Sequence, residues 1–111
     1  KLDKLVASDG SGGAIPDMLA KLRETGAQVI YVGYLRSPGR GSVIEHCRDD
    51  GNELEARITK AVAPDDGIHM LSLKDMVPHG DRSYHALDMI HPSQKASAEI
   101  SRQLAEIIRS N

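Results

Sequence analysis

The feature that most constrains the fold is a nearly continuous apolar stretch in the first half of the chain, Gln28 to Leu35 (QVIYVGYL). Its apolar and β-branched residues occupy successive positions, which is typical of a strand that is covered on both faces. Such strands occur mainly in parallel sheets, where crossover helices pack on the two faces. The stretch therefore predicts a parallel sheet in an α/β protein.

A helix and a second strand are predicted after this strand. Asp49 and Asp50 are suitable N-terminal caps for the helix, and residues 64–67 (PDDG) end it. The apolar face of the helix consists of residues at helical spacing: Leu54, Ile58, Ala61 and Val62. Ile68 to Leu73 (IHMLSL) is the second predicted strand. Strand, helix and strand together form a βαβ unit.

Two more helices and two irregular segments complete the predicted order. One helix covers Ile15 to Thr25, and the last begins near Pro92 with an apolar side of Ala96, Ile100, Leu104, Ile107 and Ile108. Residues 1–14, which include the sequence SDGSGG, are predicted to be a flexible N-terminal segment, and Pro78 to Leu87 a long loop. Charge pairs one helical turn apart are predicted for Glu53 with Arg57, Lys95 with Glu99, and Arg102 with Glu106.

Two strands alone make a poor sheet, because each leaves one edge without a partner. An apolar strand such as Gln28 to Leu35 is poorly suited to an exposed edge. Further strands are therefore expected from a segment outside this chain or from a partner. A stand-alone domain that dimerises through its strand edge is an alternative.

Composition limits the classes of function. A chain of 111 residues has room for one domain, and its net charge of −2, with 27% charged residues of mixed sign, gives no reason to expect nucleic acid or anionic membranes as partners. No apolar run reaches the ~18 residues that a membrane span requires. Cys47 is the single cysteine, so an intrachain disulfide is impossible. The compartment is not indicated. Because the chain starts at Lys1 without a methionine, we expect that residues were removed upstream.

The sequence Asp88-Met89-Ile90-His91-Pro92-Ser93 combines a carboxylate and a histidine just before the last predicted helix. A general-base histidine needs a carboxylate on one ring nitrogen, which orients the ring and stabilises the imidazolium. Pro92 pushes the preceding residue toward extended geometry, so His91 is expected to stay off the helix. The pair is expected in the crevice outside the carboxyl ends of the strands.

This D-x-x-H block, its proline and the terminal helix resemble the last block of the SGNH or GDSL-type serine hydrolases, a family of lipases, thioesterases and carbohydrate esterases. A helix that closes in a Leu-Arg-x-x-Gly-Ala pattern (Leu22 to Ala27) extends the resemblance, which covers roughly Ile15 to Ile108. It implies a three-layer α/β/α flavodoxin-like fold, with residues 15–111 supplying the C-terminal βαβ unit and terminal helix. It also implies that His91 is the general base and Asp88 its orienting acid, in an enzyme that hydrolyses carboxylic esters through an acyl-enzyme intermediate without a cofactor.

The nucleophile and oxyanion-hole blocks of the family are not identifiable in this chain. Asp9-Gly10-Ser11 has the letters of the family's Gly-Asp-Ser block in another order and follows no strand, so Ser11 is a poor candidate nucleophile. We therefore expect the chain to be the C-terminal half of a hydrolase. The N-terminal half of the same protein would supply the serine, and the isolated chain would be inactive.

Alternatives remain for these residues. Asp88 and His91 could be a surface pair that only caps the last helix. Together with His79 and His85 they could be mistaken for metal ligands, but the spacings of six, three and three match no compact zinc pattern.

The loop from Arg36 to Ser42 (RSPGRGS) has two candidate roles. The resemblance places it at the border of the substrate cleft, which makes Arg36 and Arg40 candidate substrate contacts. In a non-catalytic α/β binding module, the same two guanidiniums would hold an anionic ligand.

Overall fold

The structure, a computed structural model, describes residues 1–110 and has mixed α/β architecture. Its helices are α1 (Leu2–Leu5), α2 (Ala14–Glu24), α3 (Arg48–Val62) and α4 (Gln94–Ser110), and a 3-10 turn, Glu45–Cys47, precedes α3. Strands β1 (Val29–Val32) and β2 (Ile68–Leu71) form a two-stranded parallel sheet. The predicted α/β class is confirmed, and the predicted helices and strands occur in the expected order, with α1 and the 3-10 turn in addition. Among the described residues no helix is long and apolar enough to cross a membrane.

The chain divides into two units. The first unit contains residues 1–32 and 50–70, and the second contains residues 33–49 and 71–110. The candidate site residues named above, from Arg36 to His91, all belong to the second unit.

Both strands are shorter than the apolar runs that predict them. The backbone N–H of Val29 donates to the carbonyl of Gly67, and that of Gly33 to Leu71, each at 2.8 Å. The strands end near these hydrogen bonds, so pairing between them stops before the apolar runs end. Three residues of β1 are half-buried and Val32 is exposed. The described residues therefore cover this strand only in part, whereas the sequence predicts cover on both faces.

The first unit has an aliphatic core. Its buried centre consists of Val6, Leu19, Ile58 and Val62, one from the N-terminal segment, one from α2 and two from α3. The predicted apolar face of α3 is confirmed, since Ile58 and Val62 are buried and Leu54 and Ala61 pack beside them. Arg57 donates to Glu53 at 2.7 Å, as predicted. Its side chain is only 14% exposed because it also donates to Asp3 at 2.8 Å and to the carbonyl of Val6 at 3.2 Å, so it does not lie on the outside of the helix.

The N-terminal segment packs onto the first unit. Val6 is 0% exposed, and the backbone N–H of Ala7 donates to the carbonyl of Gly12 at 2.8 Å. Gly13 has φ +129°, and a Cβ there would lie 2.5 Å from the carbonyl oxygen of Leu5, so only glycine fits. The segment predicted to be flexible thus forms a short helix and a closed turn, because burial of Val6 anchors it.

Helix starts differ from the predictions. The helix α3 begins at Arg48, directly after the 3-10 turn, so Asp49 and Asp50 lie inside its first turn instead of capping it.

Of the two charge pairs predicted for α4, one is confirmed: Arg102 donates to Glu106 at 2.5 Å. Glu99 pairs with Arg102 instead of Lys95, since Lys95 donates to the hydroxyl of Ser83.

Candidate acid–base site

A tight turn carries Asp88 and His91 within the second unit. Oδ1 of Asp88 accepts the backbone N–H groups of Ile90 at 2.9 Å and His91 at 3.0 Å. The N–H of Met89 donates to the carbonyl of Ala86 at 3.0 Å, and the N–H of Ala86 donates to the carbonyl of His91 at 2.8 Å. An aspartate readily bonds the backbone two residues ahead, so the local sequence favours the turn.

The second carboxylate oxygen of Asp88 binds the histidine. Oδ2 lies 2.5 Å from Nδ1 of His91, and the side chains are 45% and 75% exposed, respectively. The hydrogen bond with His91 is the largest cause that lowers the pKa of Asp88 to about 2, and the N–H groups of Ile90 and His91 lower it further. Asp88 is therefore a carboxylate throughout the neutral pH range.

This geometry assigns different roles to the two ring nitrogens. Since the carboxylate of Asp88 can only accept, Nδ1 of His91 carries the proton that lies between them. In the neutral ring, Nε2 is then the basic nitrogen. With the side chain of His91 75% exposed, a group from another segment can reach the ring. The arrangement suits a general base.

The last helix has a different cap. Oγ of Ser93 accepts the N–H of Ala96 at 3.3 Å and donates to the carbonyl of Ser83 at 2.7 Å. The side-chain hydrogen bonds of Asp88 are made to Ile90 and His91, inside the turn. Capping of the helix therefore does not explain the Asp88–His91 pair.

The other two histidines of the loop have separate environments. His85 is 6% exposed, its backbone forms a bridge with Pro92, and neither ring nitrogen makes a hydrogen bond of normal geometry. Burial has the largest effect on the pKa of His85 and lowers it. The interaction with the backbone of Arg36 raises the pKa by a smaller amount. His79 lies against Gly39, where a Cβ would come within 2.9 Å of its ring. In the described part of the chain, no three metal-ligating side chains form a cluster.

The two arginines of the loop lie in different environments. Arg36 is 1% exposed, its guanidinium stacks 4.0 Å from the ring centroid of Tyr34, and it donates to the carbonyl of Tyr34 at 2.9 Å. Arg40 is exposed. Arg36 thus has a packing role, and Arg40 is the member of the pair that is accessible to a ligand.

Sequence reasoning missed a polar network at the base of this loop. Nη2 of Arg48 donates to Glu45 at 2.9 Å and to the carbonyl and hydroxyl of Ser37 at 3.0 and 3.1 Å, while the hydroxyl of Ser37 also donates to Glu45. Arg48 and Ser37 lower the pKa of Glu45, in that order of importance. The i, i+3 spacing of Glu45 and Arg48 is readable from the sequence, but the contact with Ser37 requires the fold.

Comparison with known proteins gives no family assignment. No family model matches the chain, and no similar curated protein or solved structure is found.

Proposed function

We propose that Asp88 and His91 are the acid and base of a serine ester hydrolase of the SGNH type, to which this chain contributes the C-terminal part of a three-layer α/β/α domain. The observation that carries the proposal is the 2.5 Å contact between Oδ2 of Asp88 and Nδ1 of an otherwise exposed His91. A purely structural ion pair would gain little at such an exposed position. An acid–base pair needs this combination of an oriented ring and an accessible second nitrogen.

In the proposed reaction, Nε2 of His91 takes the proton of a serine hydroxyl as the oxygen attacks the ester carbonyl. The carboxylate of Asp88 stabilises the imidazolium that forms. His91 then donates this proton to the departing alcohol, and the acyl group remains bound to the serine as an acyl-enzyme. Water hydrolyses this intermediate in the reverse sense, again with His91 as the base.

The proposal requires a serine from outside these residues. Within residues 1–110, Asp88 is the side chain that hydrogen-bonds the ring of His91. Ser83, which lies in the same loop, donates its hydroxyl to Asp81 at 2.6 Å and accepts a bond from Lys95 at 2.8 Å, so it is held away from a nucleophilic role. The N-terminal half of the same protein would supply the serine and the oxyanion hole. Arg40 would contact the acyl or leaving group.

Ester turnover by the full-length protein tests the proposal. With p-nitrophenyl acetate as the substrate, we expect His91→Ala to lower kcat/KM by about 10³-fold or more, and Asp88→Asn by less. His46→Ala is the matched control, because His46 is also an exposed histidine of the second unit. Equal rates for the wild-type protein and His91→Ala would refute the catalytic role.

A further inference from the structure

Ser42 connects the arginine loop with the acid–base turn. Its side chain is buried in the second unit, with the residue only 9% exposed. The hydroxyl of Ser42 donates to the carbonyl oxygen of Met89 at 2.9 Å, across 47 positions of sequence. Met89 is the residue between Asp88 and Ile90, so this bond reaches the centre of the turn.

Met89 adopts a backbone conformation that its side chain disfavours. Its φ is +59°. Among the described residues, Met89 is the one residue other than glycine that has a positive φ. Such a conformation is strained for a residue that carries a Cβ and persists only when the surroundings impose it. The hydroxyl of Ser42 is a contact from outside the turn that can impose it.

The bond acts on the peptide group that orients the carboxylate. The carbonyl of Met89 and the N–H of Ile90 belong to one planar, trans peptide, so fixing one group fixes the direction of the other. The N–H of Ile90 donates to Oδ1 of Asp88 at 2.9 Å, and Oδ2 of the same carboxylate holds His91 at 2.5 Å. A continuous path of contacts thus runs from Ser42 to the imidazole.

Ser42 itself is held by its own loop. Its backbone N–H donates to the carbonyl of Gly39 at 3.3 Å, and its carbonyl accepts the N–H of Glu45 at 3.2 Å. The bonds of Arg48 with Glu45 and Ser37 brace the two ends of this segment. The donor therefore comes from a constrained loop, which is what a fixed support for a catalytic group requires.

We propose that Ser42 is a positioning residue: by holding the peptide between Met89 and Ile90, it keeps Asp88 in the orientation that binds Nδ1 of His91. The structural part of this inference stands on the contacts alone. Its catalytic meaning rests on the proposed function.

Nuclear magnetic resonance on the full-length protein tests the structural part. In Ser42→Ala, we expect the amide of Ile90 to exchange about tenfold faster and the pKa of Asp88 to rise from about 2 toward 3.8. Ser42→Thr keeps the donor and should restore both values. Ser101→Ala, which removes an exposed hydroxyl from α4, should change neither.

An unchanged exchange rate and an unchanged pKa of Asp88 in Ser42→Ala would overturn the inference. If Ser42→Ala fails to fold, Ser42→Thr decides: wild-type values of both quantities support the role of the hydroxyl, and altered values in a folded protein reject it.

Kinetics of the full-length protein test the catalytic part. We expect Ser42→Ala to lower kcat about tenfold with KM unchanged, and Ser42→Thr to recover it. An unchanged kcat, in a protein where His91→Ala abolishes turnover, would overturn the catalytic part. If His91→Ala has no effect on turnover, the proposed function fails, while the resonance measurements still decide whether Ser42 holds the turn.

Discussion

Replacement of Arg36 by alanine should destabilise the protein strongly, although arginine at a loop position would ordinarily suggest a surface role. Arg36 is 1% exposed and among the largest fully buried side chains. Its cation–π contact with Tyr34, 4.0 Å from the ring centroid, is worth about 0.5–2 kcal/mol. Its charged hydrogen bond to the carbonyl of Tyr34, at 2.9 Å, is worth about 1.5–3 kcal/mol.

These contributions sum to roughly 2–5 kcal/mol, before the loss of packing around a large side chain is considered. We therefore expect Arg36→Ala to lower the free energy of unfolding by about 3 kcal/mol, measured by urea denaturation followed by circular dichroism. Arg36→Lys keeps the charge but loses the planar stack, so its free energy of unfolding should lie between those of Arg36→Ala and the wild-type protein.

Arg40→Ala is the matched control, because Arg40 is an exposed arginine in the same loop. Its effect on stability should stay within about 0.5 kcal/mol. Equal losses for Arg36→Ala and Arg40→Ala, or a loss below about 1 kcal/mol for Arg36→Ala, would refute the assignment of Arg36 to packing and Arg40 to the accessible surface.

Two further predictions concern the same unit. Ser93→Ala removes the N-cap of α4 and should cost about 1 kcal/mol of stability in the same urea assay, with Ser101→Ala as a control that changes little; equal stability of the two variants would contradict the cap. Burial holds the pKa of His85 below its ordinary 6.5, so the unfolded chain binds a proton more readily and stability should fall as the pH drops below 6.5. His85→Leu should reduce the difference between urea midpoints measured at pH 7.5 and 5.5, and an unaltered difference would reject this linkage.

Much of the order of elements was predictable because it depends on local periodicity. The spacing of Leu54, Ile58 and Val62 predicts the face that α3 buries, and the structure confirms it. Strand lengths were less predictable. An apolar run shows which residues can be buried, but the length of the hydrogen-bonded ladder depends on where the neighbouring strand ends. The structure leaves Val32 exposed even though the apolar run continues to Leu35.

The candidate site separates in the same way. Asp88 and His91 meet within one turn, so a spacing of three residues was enough to predict their contact. Arg36 and Arg40 looked equivalent because the sequence does not show which side chain the fold buries. Ser42 gave no local signal, since its acceptor lies 47 positions further along the chain. Contacts of that range depend on tertiary structure.

The central claim, that His91 activates a serine, is tested most directly by labelling the full-length protein with a fluorophosphonate, which reacts covalently with activated serines. The proposed base predicts rapid labelling of a serine outside residues 1–111, slowed at least about 100-fold by His91→Ala and unchanged by His46→Ala. Labelling at the same rate in the wild-type protein and His91→Ala, or no labelling of the wild-type protein, would contradict it.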